Sequence, residues 1–436
     1  MSDESKIGLS KSNPHPSSPA FDYARLLLRS VGFDDLVLAG TRDDAAYDWR
    51  VSGLMPLTGP ADGPAKMGPG VLPSCARGAL DVFRAMAGGD VLPGVNGGSL
   101  LAERAALLAL TRHGNVSANG TCRLYAAADG WIALNLARDE DRGLIPAWLQ
   151  TSEVDLETAI AVRSRGALLE RGRLLGLPVA SVGEYPVEPW VRVDRLRDPA
   201  PSGLGSGHAG PLVVDLSALW AGPLCTHLLE RAGARVIKIE STARPDASRE
   251  GSPPFFELIN AGKESVALDL ATKRGIARLT QLLGAADIVV ESARPRALAQ
   301  MGIDAAATVR GRPGLTWLSI TGYGRRPPYD DWVAFGDDAA VAAGIVAEGP
   351  SFCGDAIADP LTGIHAAIAA WAFAKRGGGV LIDVSLTAVA AHCLRFSPAR
   401  AVGAGCALAP GVRAAEGVVQ PLGADTARVL REFKCS

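Results

Sequence analysis

The stretch LVVDLSALWAGPLCTHLLERAGARVIKIE, residues 212–240, decides the fold. It opens with Leu212–Ser217, an apolar, β-rich run like those of strands buried on both faces. Gly222–Gly233 follows and predicts a helix, with Pro223 near its first turn and Gly233 at its stop. Arg235–Glu240 is a second strand. The pattern repeats downstream. An extended piece at 265–270 precedes a helix over 273–286 and a strand over 287–292. A short segment at 296–303 leads into a strand over 315–324. Strands alternating with helices of this length predict a doubly wound parallel sheet, a Rossmann-like α/β fold. Ligands of such sheets sit beyond the carboxyl ends of the strands. The loops after Ser217, Glu240, Ser292 and Thr321 are therefore candidate site walls.

The whole chain narrows the function classes. Its 436 residues carry a formal charge of −2, which gives no basic field for nucleic acid and no polybasic membrane patch. Seven cysteines are scattered without CxxC or metal spacing, as in a protein with free thiols in a reducing compartment. The first twenty residues are polar and lack an apolar signal core. The most apolar run, near Ala366–Ala374, is shorter than the ~20 residues that span a bilayer. These features predict a soluble cytoplasmic protein, in which the N-x-S/T matches at Asn115 and Asn119 carry no meaning.

Composition shifts divide the chain. Residues 1–19 are expected to be a disordered tail. Residues 198–210 are rich in Gly, Pro and Ser and predict a linker. Their glycines at 203, 205 and 207 precede a strand instead of following one, so they make no dinucleotide fingerprint. Residues 111–197 suggest a smaller α+β domain, with a hairpin turning at Asp129-Gly130 and a helical stretch over 154–176. The complete nucleotide-type domain is 211–395, and 396–436 is a return segment. Residues 20–110 echo the second half. Gly78 in PSCARGALDVFRAM matches Gly363 in ADPLTGIHAAIAAW, which sets Ser74 opposite Asp359. The expectation is a truncated, degenerate copy that has lost the acid.

The segment FCGDAIADPLTGIHAAIAAWAF, 352–373, places Asp355 and Asp359 where an apolar helix begins. An acid there can simply cap the helix and suit its dipole. It can also be a reactive carboxylate, and the segment alone leaves both open.

Several strings resemble class III CoA-transferases, the family of formyl-CoA and carnitine CoA-transferases and alpha-methylacyl-CoA racemases. They are VVDLSALWAGPLCTHLLERAGARVIKIES, NAGKESVALDL (260–270), ADIVVESARPRALAQMGI (286–303), LSITGYGRRPPY (318–329) and GGGVLIDVSL (377–386), in the family's order. QPLGADTARVLREF (420–433) is similar to the family's C-terminal segment. The resemblance maps the family's catalytic aspartate onto Asp359, a nucleophile that attacks an acyl-CoA thioester and forms covalent intermediates. Asp355 is expected to be structural. The resemblance implies coenzyme A as substrate, no metal, no redox cofactor, small carboxylic acids as partners and a homodimer.

By position in the family, CoA falls to Trp220, Ala221 and Pro223 after the first strand, and to Glu240 and Arg244 after the second. Lys263, Arg294, Arg296 and Met301 follow, and Phe335 lies where racemases carry a histidine. Any one of these arginines can equally be a solvated helix end, and Lys263 a surface charge. Three departures stand out. Gln300 replaces an arginine common in the transferases, the complete half comes last in the chain, and the family's glycine-rich loops are not recognisable. The alternatives are an acyl-CoA racemase, which needs two opposed bases, and a non-catalytic CoA-binding homologue. A nucleotide-dependent oxidoreductase is disfavoured by the missing G-x-G-x-x-G.

Overall fold

A computed structural model describes residues 18–38, 43–89, 91–151, 155–186, 188–201, 210–397 and 406–435. The expected tail up to residue 17 and most of the expected linker, residues 202–209, lie outside the described residues.

Among the described residues, ten strands form two sheets. The small sheet is antiparallel, β1 (Cys122–Ala127), β2 (Gly130–Asn135) and β3 (Val179–Ser181). The large sheet adds β4 (Arg192–Arg195), β5 (Leu212–Leu216), β6 (Arg235–Ser241), β7 (Glu264–Leu268), β8 (Ile288–Glu291), β9 (Thr316–Thr321) and β10 (Val380–Ser385). Their spatial order is β4-β10-β9-β8-β5-β6-β7. Every pairing in it is parallel except that of β4 with β10. From β5 the chain winds outward through β6 and β7, then returns to β8 and proceeds the other way. The order reverses between β5 and β8, which is where an open α/β sheet leaves a crevice.

The buried strands are rich in Val, Ile and Leu, as the sequence predicts. Two details of the smaller unit differ from expectation. The hairpin turns on Ala128-Asp129, with Gly130 already paired to Ala127. The stretch over 154–176 forms two helices, Leu156–Ala161 and Arg165–Leu174. Ser164 breaks it by taking an extended backbone and accepting a hydrogen bond from the Ala167 N–H.

The helix Ala358–Lys375 is the centre of the molecule. From Pro360 to Ala374 every side chain is buried. It is apolar on all sides, the pattern of a helix enclosed by others. It packs on Ala221–Arg231, on Leu72–Ala87 and on Leu386–Phe396. Small residues permit this crowding. A Cβ on Gly363 would lie 2.8 Å from the Ala221 carbonyl oxygen. In the helix Leu72–Ala87, a Cβ on Gly78 would lie 2.3 Å from the Ala20 carbonyl oxygen, at the helix Pro19–Val31. One continuous core joins the first hundred residues to this helix and to the sheet.

A buried ion network ties the start of the winding together. Lys263 Nζ donates to Thr226 Oγ1 at 2.7 Å, to Pro223 O and Asn260 Oδ1 at 2.9 Å, and pairs with Asp215 Oδ2 at 3.3 Å. Burial pulls the Lys263 ammonium down to about 8 despite Asp215. Burial works against the Asp215 carboxylate as well, yet Lys263 and Lys238 hold it below its usual range.

Candidate active site

A cavity of about 210 Å³ opens at the switch point. Its walls are Ala218 and Leu219 after β5, Ser292 to Arg294 after β8, Gly322 and Gly324 after β9, and Leu386 after β10. The loop Tyr329–Phe335 closes one side, and Asp359 lies in the wall.

Asp359 occupies the first turn of the central helix. Gly336 comes so close that a Cβ on it would lie 2.2 Å from Asp359 Oδ2 and 2.4 Å from the Ala356 carbonyl oxygen. The Gly336 N–H donates to the Asp359 carboxylate. The turn before Asp359 is strained, since Ala356 holds a left-handed φ of 42° without being glycine. Its N–H donates to Asp337 Oδ1 at 2.8 Å. Such a backbone persists where its surroundings over-determine it.

Four carboxylates crowd this turn, and two earlier segments supply their partners. Arg104 binds Asp355 through two bonds, Nε to Oδ2 at 2.7 Å and Nη2 to Oδ1 at 2.5 Å. Its guanidinium also lies 4.8 Å over the Trp220 ring. Asn119 Nδ2 donates to Asp337 Oδ2 at 3.0 Å and reaches Asp355 Oδ1 at 3.5 Å. Asn135 Nδ2 donates to Asp338 Oδ1 at 2.9 Å, and the Phe335 N–H to the same oxygen at 3.0 Å.

Desolvation dominates the electrostatics. Burial pushes the Asp359 carboxyl up to about 7, with Asp337 and Asp355 adding to the rise and Arg104 and the Gly336 N–H opposing it. Burial and Asp355 push Asp337 up to about 6, against Arg104. Burial raises Asp338 to about 8 even with the Asn135 and Phe335 donors. At neutral pH Asp359 is therefore divided between its acid and carboxylate forms. Its ionised form is a partly desolvated carboxylate in the cavity wall.

A second, wider groove of about 780 Å³ runs between the smaller unit and the sheet, and shares Arg294 and Trp332 with the first. Arg138 and Arg173 reach it from one side, Arg294 and Arg296 from the other. Arg173 lies 3.5 Å over the Trp332 ring. Burial, and after it the nearby Arg296 and Arg138, hold Arg294 below the usual guanidinium range, against Asp331.

The structure brings together some of the residues expected from sequence. Ala221, Arg294, Phe335 and Asp359 line the inner cavity, and Arg294 and Arg296 line the groove. Arg296 also pairs with Asp331 at 3.1 Å. The others stand elsewhere. Trp220 is buried against Phe255, and the Pro223 carbonyl serves Lys263. Glu240 is buried under Arg249, whose Nη2 is 2.6 Å from Oε2. Lys263 is enclosed by the partners given above, so it is no surface charge. Met301 packs on the helices over β8 and β9, and Arg244 is exposed outside both cavities. Arg104, Asn119, Asn135, Asp337 and Asp338 were not expected. Asn119 was read only as a sequon, and Asp337 and Asp338 only as neighbours of Phe335. Partners 203 to 251 residues apart leave no local signal.

Residues 209–423 match the profile described as CoA-transferase family III. This segment belongs to CoA-transferase family III. It contains β5 to β10, Asp359 and both acids of Asp337-Asp338. The succinate–glutarate CoA-transferase of Agrobacterium fabrum is 33% identical over 201 residues, 41% of this chain and 50% of that protein. The (R)-2-hydroxy-4-methylpentanoate CoA-transferase of Clostridioides difficile is 37% identical over 150 residues, 32% of this chain and 37% of that protein. Among solved structures, a CAIB/BAIF family protein from Brucella suis aligns with a TM-score of 0.39 at 27% identity, covering 45% of this chain and 56% of that one. The chain spans about half the length of the curated succinate–glutarate relative it matches. Arg104, Asn119 and Asn135 come from before the family III segment, so the surroundings of Asp359 are completed from outside it.

Proposed function

We propose that the protein is an enzyme that moves CoA from an acyl-CoA thioester to a carboxylic acid, with Asp359 as nucleophile. The observation that carries this reading is the Asp359 carboxylate in the wall of a cavity at the sheet's switch point. There it sits in the first turn of a helix, with the Gly336 N–H on it. The family III relatives, themselves named CoA-transferases, support it.

Asp359 attacks the thioester carbonyl and expels CoA thiolate, leaving a mixed anhydride. The thiolate attacks the aspartyl carbonyl, releases the donor acid and leaves an aspartyl-CoA thioester. The acceptor carboxylate attacks that thioester, regenerating an anhydride and thiolate. The thiolate then takes the new acyl group and frees Asp359. The arginine-lined groove suits the phosphates of CoA, because guanidinium groups bind phosphate oxygens in pairs. Racemisation finds less support, since the position that carries histidine in racemases is Phe335, a ring with no proton to exchange.

We infer further that residues 20–110 are a shortened copy of the complete half. The helix pair meeting at Gly78 mirrors the pair meeting at Gly363. Ser74, opposite Asp359 in this alignment, donates to Asp48 Oδ2 at 2.6 Å. A homodimer working in the cytoplasm completes the proposal. Free cysteines at all seven positions fit a reducing compartment.

Mass spectrometry after incubation with acyl-CoAs and hydroxylamine tests the mechanism. A thioester-dependent hydroxamate on the peptide holding Asp359, lost in Asp359→Ala, is expected. CoA binding with no adduct from any thioester would sink the covalent transfer.

A further inference from the structure

The two cavities that meet at Arg294 and Trp332 differ in chemistry. The outer groove is densely charged, with four arginines and the acids Glu140, Asp141, Glu170 and Asp331. The inner chamber is walled by Leu219, Ile320, Val333, Phe335 and Leu386. At about 210 Å³ it is smaller than the roughly 300–1,000 Å³ of drug-sized sites. Among its described lining residues the only cation is Arg294, which is exposed at the mouth where the chamber joins the groove. Arg104, the other guanidinium near Asp359, is not in the wall. It is bound twice to Asp355 and stacked on Trp220. The ionisable groups that remain in the chamber wall are Tyr329 and two acids, Asp330 and Asp359.

Leu219 is held in place at a cost. It has a left-handed φ of 69°, and its N–H is taken by both oxygens of Asp246, at 3.2 and 3.3 Å. Asp246 is itself fixed by Lys238 at 3.0 Å. A strained aliphatic residue kept at a cavity wall is a reason to look for a role in what the cavity accepts.

Once past Arg294 at the mouth, a carboxylate at the far end of an acyl chain would meet no further cation among the chamber's described lining residues. It would lose water against carbon and face carboxylates of its own sign, which makes its burial strongly unfavourable. An uncharged chain end would instead bury apolar surface. We propose that the chamber selects short monocarboxylic acids with an uncharged aliphatic or aromatic end, as both donor acyl group and acceptor, and rejects dicarboxylic acids. This rests on the CoA-transfer reading for its use in turnover, but the selection is a property of the chamber alone.

Inert thioethers separate the two. S-butyl-CoA and S-(3-carboxypropyl)-CoA share the CoA arm and lack a carbonyl for Asp359 to attack. Calorimetry on the wild-type chain at pH 8 is expected to show S-butyl-CoA binding at least tenfold more tightly. Equal binding, or tighter binding of the carboxylated thioether, overturns the proposal. Val333→Arg, which places a cation in the wall at a half-buried position, is expected to narrow or reverse the difference. An unchanged preference in a folded Val333→Arg chain also counts against the proposal. Hydroxamate trapping with butyryl-CoA and succinyl-CoA then reads the chemistry. Trapping equal from both would leave the transfer mechanism standing and overturn the selection. A tenfold preference in thioether binding with no trapping would do the reverse.

Discussion

Gly336 and Asp359 are in contact because Gly336 has no side chain. The carboxylate oxygen Oδ2 occupies space within 2.2 Å of where a Cβ would stand. The same absent Cβ leaves room for the Ala356 carbonyl oxygen, so one glycine sets both the Asp359 carboxylate and the strained turn before it.

Gly336→Ala is therefore expected to push the Asp359 carboxylate from its place with little effect on the distant groove. A shift near 1 Å at a reacting group costs on the order of 100-fold in rate. The expected result is a fall of that size in kcat with the affinity for free CoA nearly unchanged. A chain that keeps its rate would mean the carboxylate works from another position.

The pH profile follows from the charge on Asp359. The nucleophile is the ionised form, and burial raises its pKa to about 7. The kcat/KM of the wild type is expected to rise with pH through about 7 and level off above it. A profile flat from pH 5 to 8 would remove Asp359 as the titrating nucleophile.

Arg104 should move that profile. Its positive charge lowers the Asp359 pKa, so removing it leaves only the Gly336 N–H against burial and the neighbouring acids. Arg104→Gln is expected to shift the rise upward by about 1 unit or more, and Arg104→Lys to restore much of the wild-type midpoint. Circular dichroism separates this from unfolding, because Asp355 loses its buried partner in the glutamine variant.

Asp338 gives a stability prediction of definite sign. Burial raises its folded pKa to about 8 from the ordinary carboxylate value of 3.8, so the folded state binds the extra proton between those values. Stability contributed by this group falls as pH rises from about 4 to 8. Each unit is worth about 1.4 kcal/mol, so the loss amounts to several kcal/mol. Urea unfolding at pH 5 and 9 should show Asp338→Asn gaining on the wild type at the higher pH.

Lys263 is expected to matter through the fold alone. Lys263→Met leaves Asp215 buried and without one of its two cations, a change that costs about 3–5 kcal/mol. Adding Asp215→Asn should recover part of it, which a double-mutant cycle measures.

The parallel sheet was legible because its strands are short apolar runs punctuated by helices, and each run lies within a few residues. Asp359 was singled out through the resemblance carried by ADPLTG, and its role as nucleophile is the proposal made above. The ring of partners around it was not. Arg104, Asn119 and Asn135 look like surface residues in sequence, and only the packing of the first two hundred residues onto the central helix gives them acids to meet. Lys263, Glu240 and Trp220 show the converse error. Each sits near a strand end, as a ligand residue would, but its side chain turns into the protein and is used there. Strand β4 escaped because it is a four-residue antiparallel edge with a mixed pattern, RVDR.

The central helix also sets a schedule for the newly made chain. Tyr23 meets His365 at 2.7 Å, 342 positions later, and Arg104 meets Asp355 after 251 more residues. Near the carboxyl end, Leu408 N–H bonds the Arg50 carbonyl at 2.9 Å, and Arg413 pairs with Glu103 at 3.0 Å. The amino-terminal helices therefore leave the ribosome long before the surface they cover exists. At about 5–20 residues per second, they wait on the order of tens of seconds with apolar faces open, longer than most local folding events take. Chaperone demand during synthesis should follow from this chain order, and a circular permutant that begins at the linker would shorten the wait.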